Sequence, residues 1–358
     1  MNTLSLSGLG QLFILQLTEA EWSPSLESLL GSCQPAGIIL PARGLRHAET
    51  LRHLARRISG LLQVPPFLGV ACDSFRGDPL RTLFPSILLP PSPRTAARKA
   101  PQERERLGKL RGAALRLLGC NVDFAFSLDL ATAHAQTARA SGTFGSDPQV
   151  VARCAAAYLR GLRSQKVLPC ARHFPGLGSA ELDPRTRTLL SAKPMVGLWR
   201  EDLVPFRELL PQLPLLMISP AAYQAYDFDP PRPAMFSSNV VEGLLRTKLG
   251  YQAVAVASLP ELARAGVTVG PHEAVVGALD AGCDLLVLKG NQKTLPEAIQ
   301  AVRSSLESGR LPARCWEKSL ARIATVKKSL ATRQRAISES AAQRLAKQLK
   351  EWLKDSDD

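Results

Sequence analysis

Eight short apolar or β-branched runs recur along the chain, and stretches with helical periodicity separate most of them. The runs are Leu12 to Leu17, Ala36 to Leu40, Pro66 to Cys72, Val122 to Phe126, Val167 to Arg172, Leu215 to Ser219, Ala253 to Ala257 and Asp284 to Leu288. Ala48 to Leu62 and Gln149 to Arg163 are typical of the amphipathic segments between them. Strands that alternate with crossover helices pair in parallel, so the pattern predicts an α/β fold. Eight such units in roughly 320 residues fit a single (β/α)8 TIM-type barrel, whose functional loops leave the C-terminal strand ends. The main rival is a doubly wound open sheet. Its usual dinucleotide rationale is missing, because no G-x-G-x-x-G follows any of the runs.

The barrel is expected to occupy residues 1–330. Residues 331–358 form a C-terminal tail rich in Lys, Arg, Gln and Glu, with Ala342, Leu345, Leu349 and Leu353 at the spacing of an amphipathic helix. Pro90 to Pro93 and Pro230 to Pro233 read as long loops within one domain.

The chain has 358 residues, of which 45% are hydrophobic, enough to bury a large core, and a net charge of +14. That charge would draw anionic partners if it were clustered. Instead, the basic residues are interleaved with acidic ones on helical stretches such as Lys99 to Arg111. No finger, helix-turn-helix or RNP-like motif accompanies them, so no nucleic-acid partner is expected. Cys33, Cys72, Cys120, Cys154, Cys170, Cys283 and Cys315 lack C-x-x-C spacing and lie mostly in apolar runs, which predicts reduced core thiols. Met1 to Gly10 has no basic start or cleavage pattern, and no apolar run reaches membrane-spanning length. The expectation is a cytoplasmic chain with no membrane partner. His47, His53, His134 and His272 have no metal-ligand company, so neither a metal nor a cofactor is expected.

The most specific segment is Ala171-Arg-His-Phe-Pro-Gly-Leu-Gly-Ser-Ala-Glu-Leu-Asp183, which resembles the K-H-F-P-G-H-G-x-x-x-x-D-S-H signature of the glycoside hydrolase family 3 β-N-acetylglucosaminidases. Asn121-Val-Asp-Phe-Ala125, Leu128-Asp-Leu130 and Thr143-Phe-Gly-Ser-Asp-Pro148 are similar to that family's N-V-D-F-A-P-V-x-D-L and S-F-G-S-D-P, in the same order and spacing. The likeness runs from about Gly10 to about Ser329. It implies a barrel that binds a terminal N-acetylglucosamine and, in the closest members, removes it from peptidoglycan fragments.

A retaining glycosidase needs a carboxylate nucleophile and a proton donor flanking the scissile bond. By the resemblance, the nucleophile is an Asp at the end of the seventh strand, where this chain has Ser258. A neutral hydroxyl with no activating base is a weak nucleophile. The family's acid/base is an Asp-His dyad. Asp183 is retained as the one family catalytic residue, but Arg185 stands at the His position and cannot shuttle protons. Arg185 is expected to pair with Asp183.

Of the sugar-gripping positions, Ala71 replaces an Asp and Gly142 replaces an Arg, whereas Arg76, Arg172 and His173 remain as ligand-binding candidates. Glu261, the nearest carboxylate to Ser258, reads as a solvated first-turn helix acid pointing elsewhere. The favoured reading is therefore a catalytically degenerate barrel with a carbohydrate-binding or scaffold role. Its expected ligand is a carbohydrate or an acidic sugar fragment, the latter suggested by the arginines left at the mouth. The alternative is an active β-N-acetylhexosaminidase with a displaced catalytic set, using Asp183 with Glu261 or Asp73, or one in which the substrate's own acetamido group attacks. The sequence does not specify an oligomeric state.

Overall fold

The computed structural model describes residues 5–41, 48–70, 100–131, 142–183 and 186–331, with residues 340, 343, 344 and 347 beyond them. Eight parallel strands form one sheet: β1 (Phe13–Gln16), β2 (Gly37–Leu40), β3 (Phe67–Val70), β4 (Val122–Asp123), β5 (Leu168–Phe174), β8 (Leu215–Ile218), β10 (Val254–Ser258) and β11 (Leu285–Lys289). They are ordered β3-β2-β1-β11-β10-β8-β5-β4. Each falls on one of the eight predicted runs. Three further short strands, β6 (Glu181–Leu182), β7 (Leu189–Ser191) and β9 (Ala222–Tyr223), make a small separate sheet. The pattern of apolar runs holds no sign of these, since two- and three-residue strands are too short to show a period.

β4 is only two residues long where five were expected, and the barrel is closed there by a side chain. Asn121 is fully buried, and its backbone N–H donates to the Leu68 carbonyl at 2.8 Å. Its Oδ1 accepts from Leu68 N at 2.7 Å, and its Nδ2 donates to the Pro66 carbonyl at 2.8 Å. The Leu168 N–H reaches the Asn121 carbonyl at 2.8 Å. One asparagine thus satisfies backbone groups of β3 that a longer β4 would have paired. Asp123 anchors the same strand to the outer helices. It accepts from Arg111 Nε and Tyr158 Oη, each at 2.9 Å, and from the Ala125 N–H at 3.0 Å.

The helices start where the sequence supplies caps. Ser23 and Asp147 accept from backbone N–H groups of the first turns of Pro24–Cys33 and Pro148–Ser164, each of which has proline at the first turn. The C-terminal helix Ala313–Ala331 packs against the barrel. The predicted tail beyond it lies outside the described residues, save residues 340, 343, 344 and 347, which are helical. Cys33, Cys120, Cys154, Cys170 and Cys283 are buried free thiols and Cys315 is a half-buried one, while Cys72 lies outside the described residues. Among the described residues, no helix is long and apolar enough to cross a membrane.

The C-terminal helix also meets two buried polar centres. Asp284, fully buried ahead of β11, accepts from Arg246, from Arg322 at 2.9 Å, from Ser319 at 2.8 Å and from the Ala255 N–H at 2.8 Å. Removing one partner of a buried ion pair strands the others. Asp284→Ala should therefore lower unfolding free energy by about 3–5 kcal/mol in denaturant titrations.

Lys327 is only 3% exposed, donates to Gln11 Oε1 at 2.8 Å and faces the Phe67 ring. Burial pulls its ammonium down to about 7. The unfolded chain regains the ordinary value of 10.5, so above about 7 it binds more protons than the folded one. This lysine therefore makes stability rise with pH from about 7, by up to about 1.4 kcal/mol per pH unit. Lys327→Met should be more stable than the parent at pH 6, and the gap should shrink by pH 9. A gap independent of pH would contradict this.

Candidate active site at the barrel mouth

β5 is the longest strand and is buried throughout. Its pairing with β8 shifts register between Ala171 and Phe174, an irregularity of the kind that re-aims side chains. Two consecutive residues, Arg172 and His173, consequently share one polar cluster, with Arg172 only 5% exposed and His173 2%.

The loop after β4 supplies the first partner. Asp129 accepts from His173 Nδ1 at 2.7 Å, from the backbone N–H of His173 at 3.0 Å and from that of Leu177 at 2.8 Å. Ser127 Oγ adds a fourth bond at 3.1 Å. One carboxylate therefore orients the imidazole and fixes the turn that follows β5. The glycines of that turn allow close approach. A Cβ on Gly178 would stand 2.2 Å from the Leu130 carbonyl oxygen, and one on Gly176, at φ +131°, would stand 2.7 Å from Asp202 Cβ. Asp202 is itself buried and bonded to Lys193, which also reaches Glu201.

The second partner comes from β10. Ser258 ends this strand and begins the short helix Leu259–Arg264, with its side chain buried and making no cap bond. Glu261, in the first turn, is 5% exposed rather than solvated. Its Oε2 lies 3.2 Å from His173 Nε2 and its Oε1 lies 3.9 Å from Arg172 Nη1. The expectation that Glu261 points elsewhere is therefore corrected. Side chains on a helix lean toward its N-terminus, so an acid in the first turn after a strand reaches back over the strand end. The Ser258-Leu-Pro-Glu261 spacing, that of a capping box, carried this signal. Here the carboxylate meets the basic pair of β5.

The protonation states follow from these contacts. Burial alone would lower the His173 pKa, but the charges of Glu261 and Asp129 outweigh it and raise it to about 9. For Glu261, burial pushes upward, but the charges of His173, Arg172 and Arg264 hold it below the usual carboxylate value. Asp129 is likewise held low against its burial by His173 and the backbone N–H groups. At neutral pH the cluster is therefore Arg172 and imidazolium His173 between two carboxylates. The stability gained from the raised His173 is complete below its ordinary value of 6.5 and is lost as pH rises through about 9.

The other sequence candidates lie in described loops or outside the described residues. Asp183 is half-buried in the hairpin between β6 and β7, where its N–H donates to the Thr188 carbonyl and its carbonyl accepts from the Arg187 N–H, both at 2.8 Å. That hairpin is tied to the helix carrying Glu261, since Leu189 N donates to the Ala265 carbonyl at 3.0 Å. Gly142 lies in a half-buried turn before Thr143. Ala71, Asp73, Arg76 and Arg185 lie outside the described residues, and so does the expected Asp183–Arg185 pair. Among the described residues, no group of three or more His, Cys, Asp or Glu side chains could hold a metal ion.

The arrangement matches known proteins in both sequence and shape. Residues 9–326 match the glycosyl hydrolase family 3 N-terminal domain. The beta-hexosaminidase LpqI of Mycobacterium tuberculosis is 33% identical over 282 residues, covering 76% of this chain and 71% of its own. The beta-hexosaminidase of Alkalilimnicola ehrlichii is 31% identical over 279 residues, 75% of this chain and 77% of its own. A family 3 glycosyl hydrolase from Mycobacterium smegmatis superposes with a TM-score of 0.77 at 30% identity, over 89% of this chain and 95% of that one. With the family model matched over residues 9–326, the chain belongs to glycosyl hydrolase family 3.

Proposed function

We propose that this family 3 barrel binds carbohydrate, or acts as a scaffold, without hydrolysing glycosides. The observation that carries the reading is Ser258. At the strand end where the family resemblance puts a nucleophilic carboxylate, the chain has a buried neutral hydroxyl. An oxocarbenium-like transition state formed there gains neither a nucleophile nor an opposing charge from that side chain. Arg185 in place of the dyad histidine supports the same conclusion, because a guanidinium holds its proton throughout the catalytic pH range.

One observation favours a second reading, an active β-N-acetylhexosaminidase with a displaced catalytic set. Glu261 brings an ionised carboxylate to the same strand end, three residues beyond Ser258. The relatives' names, beta-hexosaminidase, point to that activity for those proteins. Against it stands the engagement of Glu261 with two cations, which lowers its nucleophilicity as it lowers its pKa.

A chromogenic β-N-acetylglucosaminide separates the two readings. The purified protein is expected to release no chromophore above buffer. Turnover abolished by both Asp183→Ala and Glu261→Gln would establish the displaced set instead. The double variant Ser258→Asp with Arg185→His is expected to remain far below an active relative assayed in parallel. Ala71 and Gly142 still lack sugar-gripping groups, and residues acting as a unit do not contribute additively. High activity in that variant would contradict the expectation.

A further inference from the structure

We infer that Glu261 is the specificity determinant of the barrel mouth: a carboxylate supplied in cis that fills the anion seat of Arg172 and His173, so that the mouth rejects acidic sugars and admits neutral ones. The inference rests on the carbohydrate-binding reading and names its ligand class.

Three observations lead to it. A guanidinium and an imidazolium on consecutive residues, both almost fully buried, form a seat suited to a carboxylate. Asp129 takes only the Nδ1 side of His173 and spends its remaining capacity on backbone N–H groups and Ser127. The Nε2 side and Arg172 Nη1 both face Glu261, whose two oxygens divide between them at 3.2 and 3.9 Å. Arg172 and His173 thus meet the carboxylates of Glu261 and Asp129. A ligand carboxylate or phosphate would have to displace Glu261 and leave it buried without its partners, a costly exchange.

A neutral hydroxyl faces no such barrier. Glu261 Oε2 is buried and its contact with His173 is not aligned as a hydrogen bond, so among the described residues this oxygen has no donor. A sugar hydroxyl that donates to it satisfies a buried acceptor without disturbing the charges. Arg172, which by itself suggests an acidic ligand, is in this geometry already answered from within the chain.

The test uses calorimetry and thermal melts of the full chain with acetate, inorganic phosphate, N-acetylglucosamine and glucuronic acid. Glu261→Ala removes the charge and vacates the space that the carboxylate fills. Acetate should bind this variant roughly ten-fold or more tighter than the parent. Adding Arg172→Ala should abolish the gain. Equal acetate binding by parent and Glu261→Ala, or a gain that survives Arg172→Ala, would overturn the assignment of the seat. On the parent protein, which needs no variant to fold, N-acetylglucosamine should bind better than glucuronic acid, and the reverse order would also overturn it. If the parent binds neither sugar while Glu261→Ala gains acetate, the seat stands and the carbohydrate-binding reading fails.

Discussion

The mouth of this barrel depends on one buried charge cluster, Asp129–His173–Glu261 with Arg172. Two cations and two carboxylates removed from water are tolerated only when each has a close partner and its remaining capacity is filled. Asp129 meets that requirement with four donors and in doing so fixes the turn after β5. Glu261 finds its close partner on the opposite side of the imidazole, with Oε2 left free to accept a further donor, and thereby links the end of β10 to β5 across the mouth. The pairing also sets the charge state of the histidine, which burial alone would leave neutral.

The remaining polar centres serve the scaffold. Asn121 closes the barrel between β3 and β4, Asp123 ties β4 to the helices Pro101–Leu117 and Pro148–Ser164, and Asp284 joins β10, the helix Asn239–Lys248 and the C-terminal helix. Asn121 and Asp123 lie in the Asn121-Val-Asp-Phe-Ala125 segment that resembles a family motif. The likeness to family 3 is therefore carried largely by residues that build the barrel, together with the His173 turn. A family's fold and a member's chemistry rest on different residues.

The fold was legible because a parallel barrel strand is a short, continuously apolar run, and all eight runs stand out between amphipathic helices. The length of β4 was not, because a buried asparagine does the work of a ladder there and leaves the apolar pattern unbroken. The site was legible in part. Arg172, His173 and Ser258 lie where the motif order puts them. Asp129 was visible only as part of a motif, with nothing to show that it would hold His173. Glu261 was misread because charge in a first helical turn usually means a solvated acid, whereas the lean of helical side chains toward the strand end decides its direction here.

If the cluster is as described, His173 is an imidazolium at neutral pH held by two carboxylates, and its ring titration reports on both at once. NMR of ring-labelled histidine, with His173 assigned by substitution, should show the ring protonated through neutrality and titrating at about 9. In Glu261→Gln the midpoint should fall. A His173 that titrates at or below the ordinary value of 6.5, or a midpoint unchanged by Glu261→Gln, would contradict the buried four-charge cluster on which this account rests.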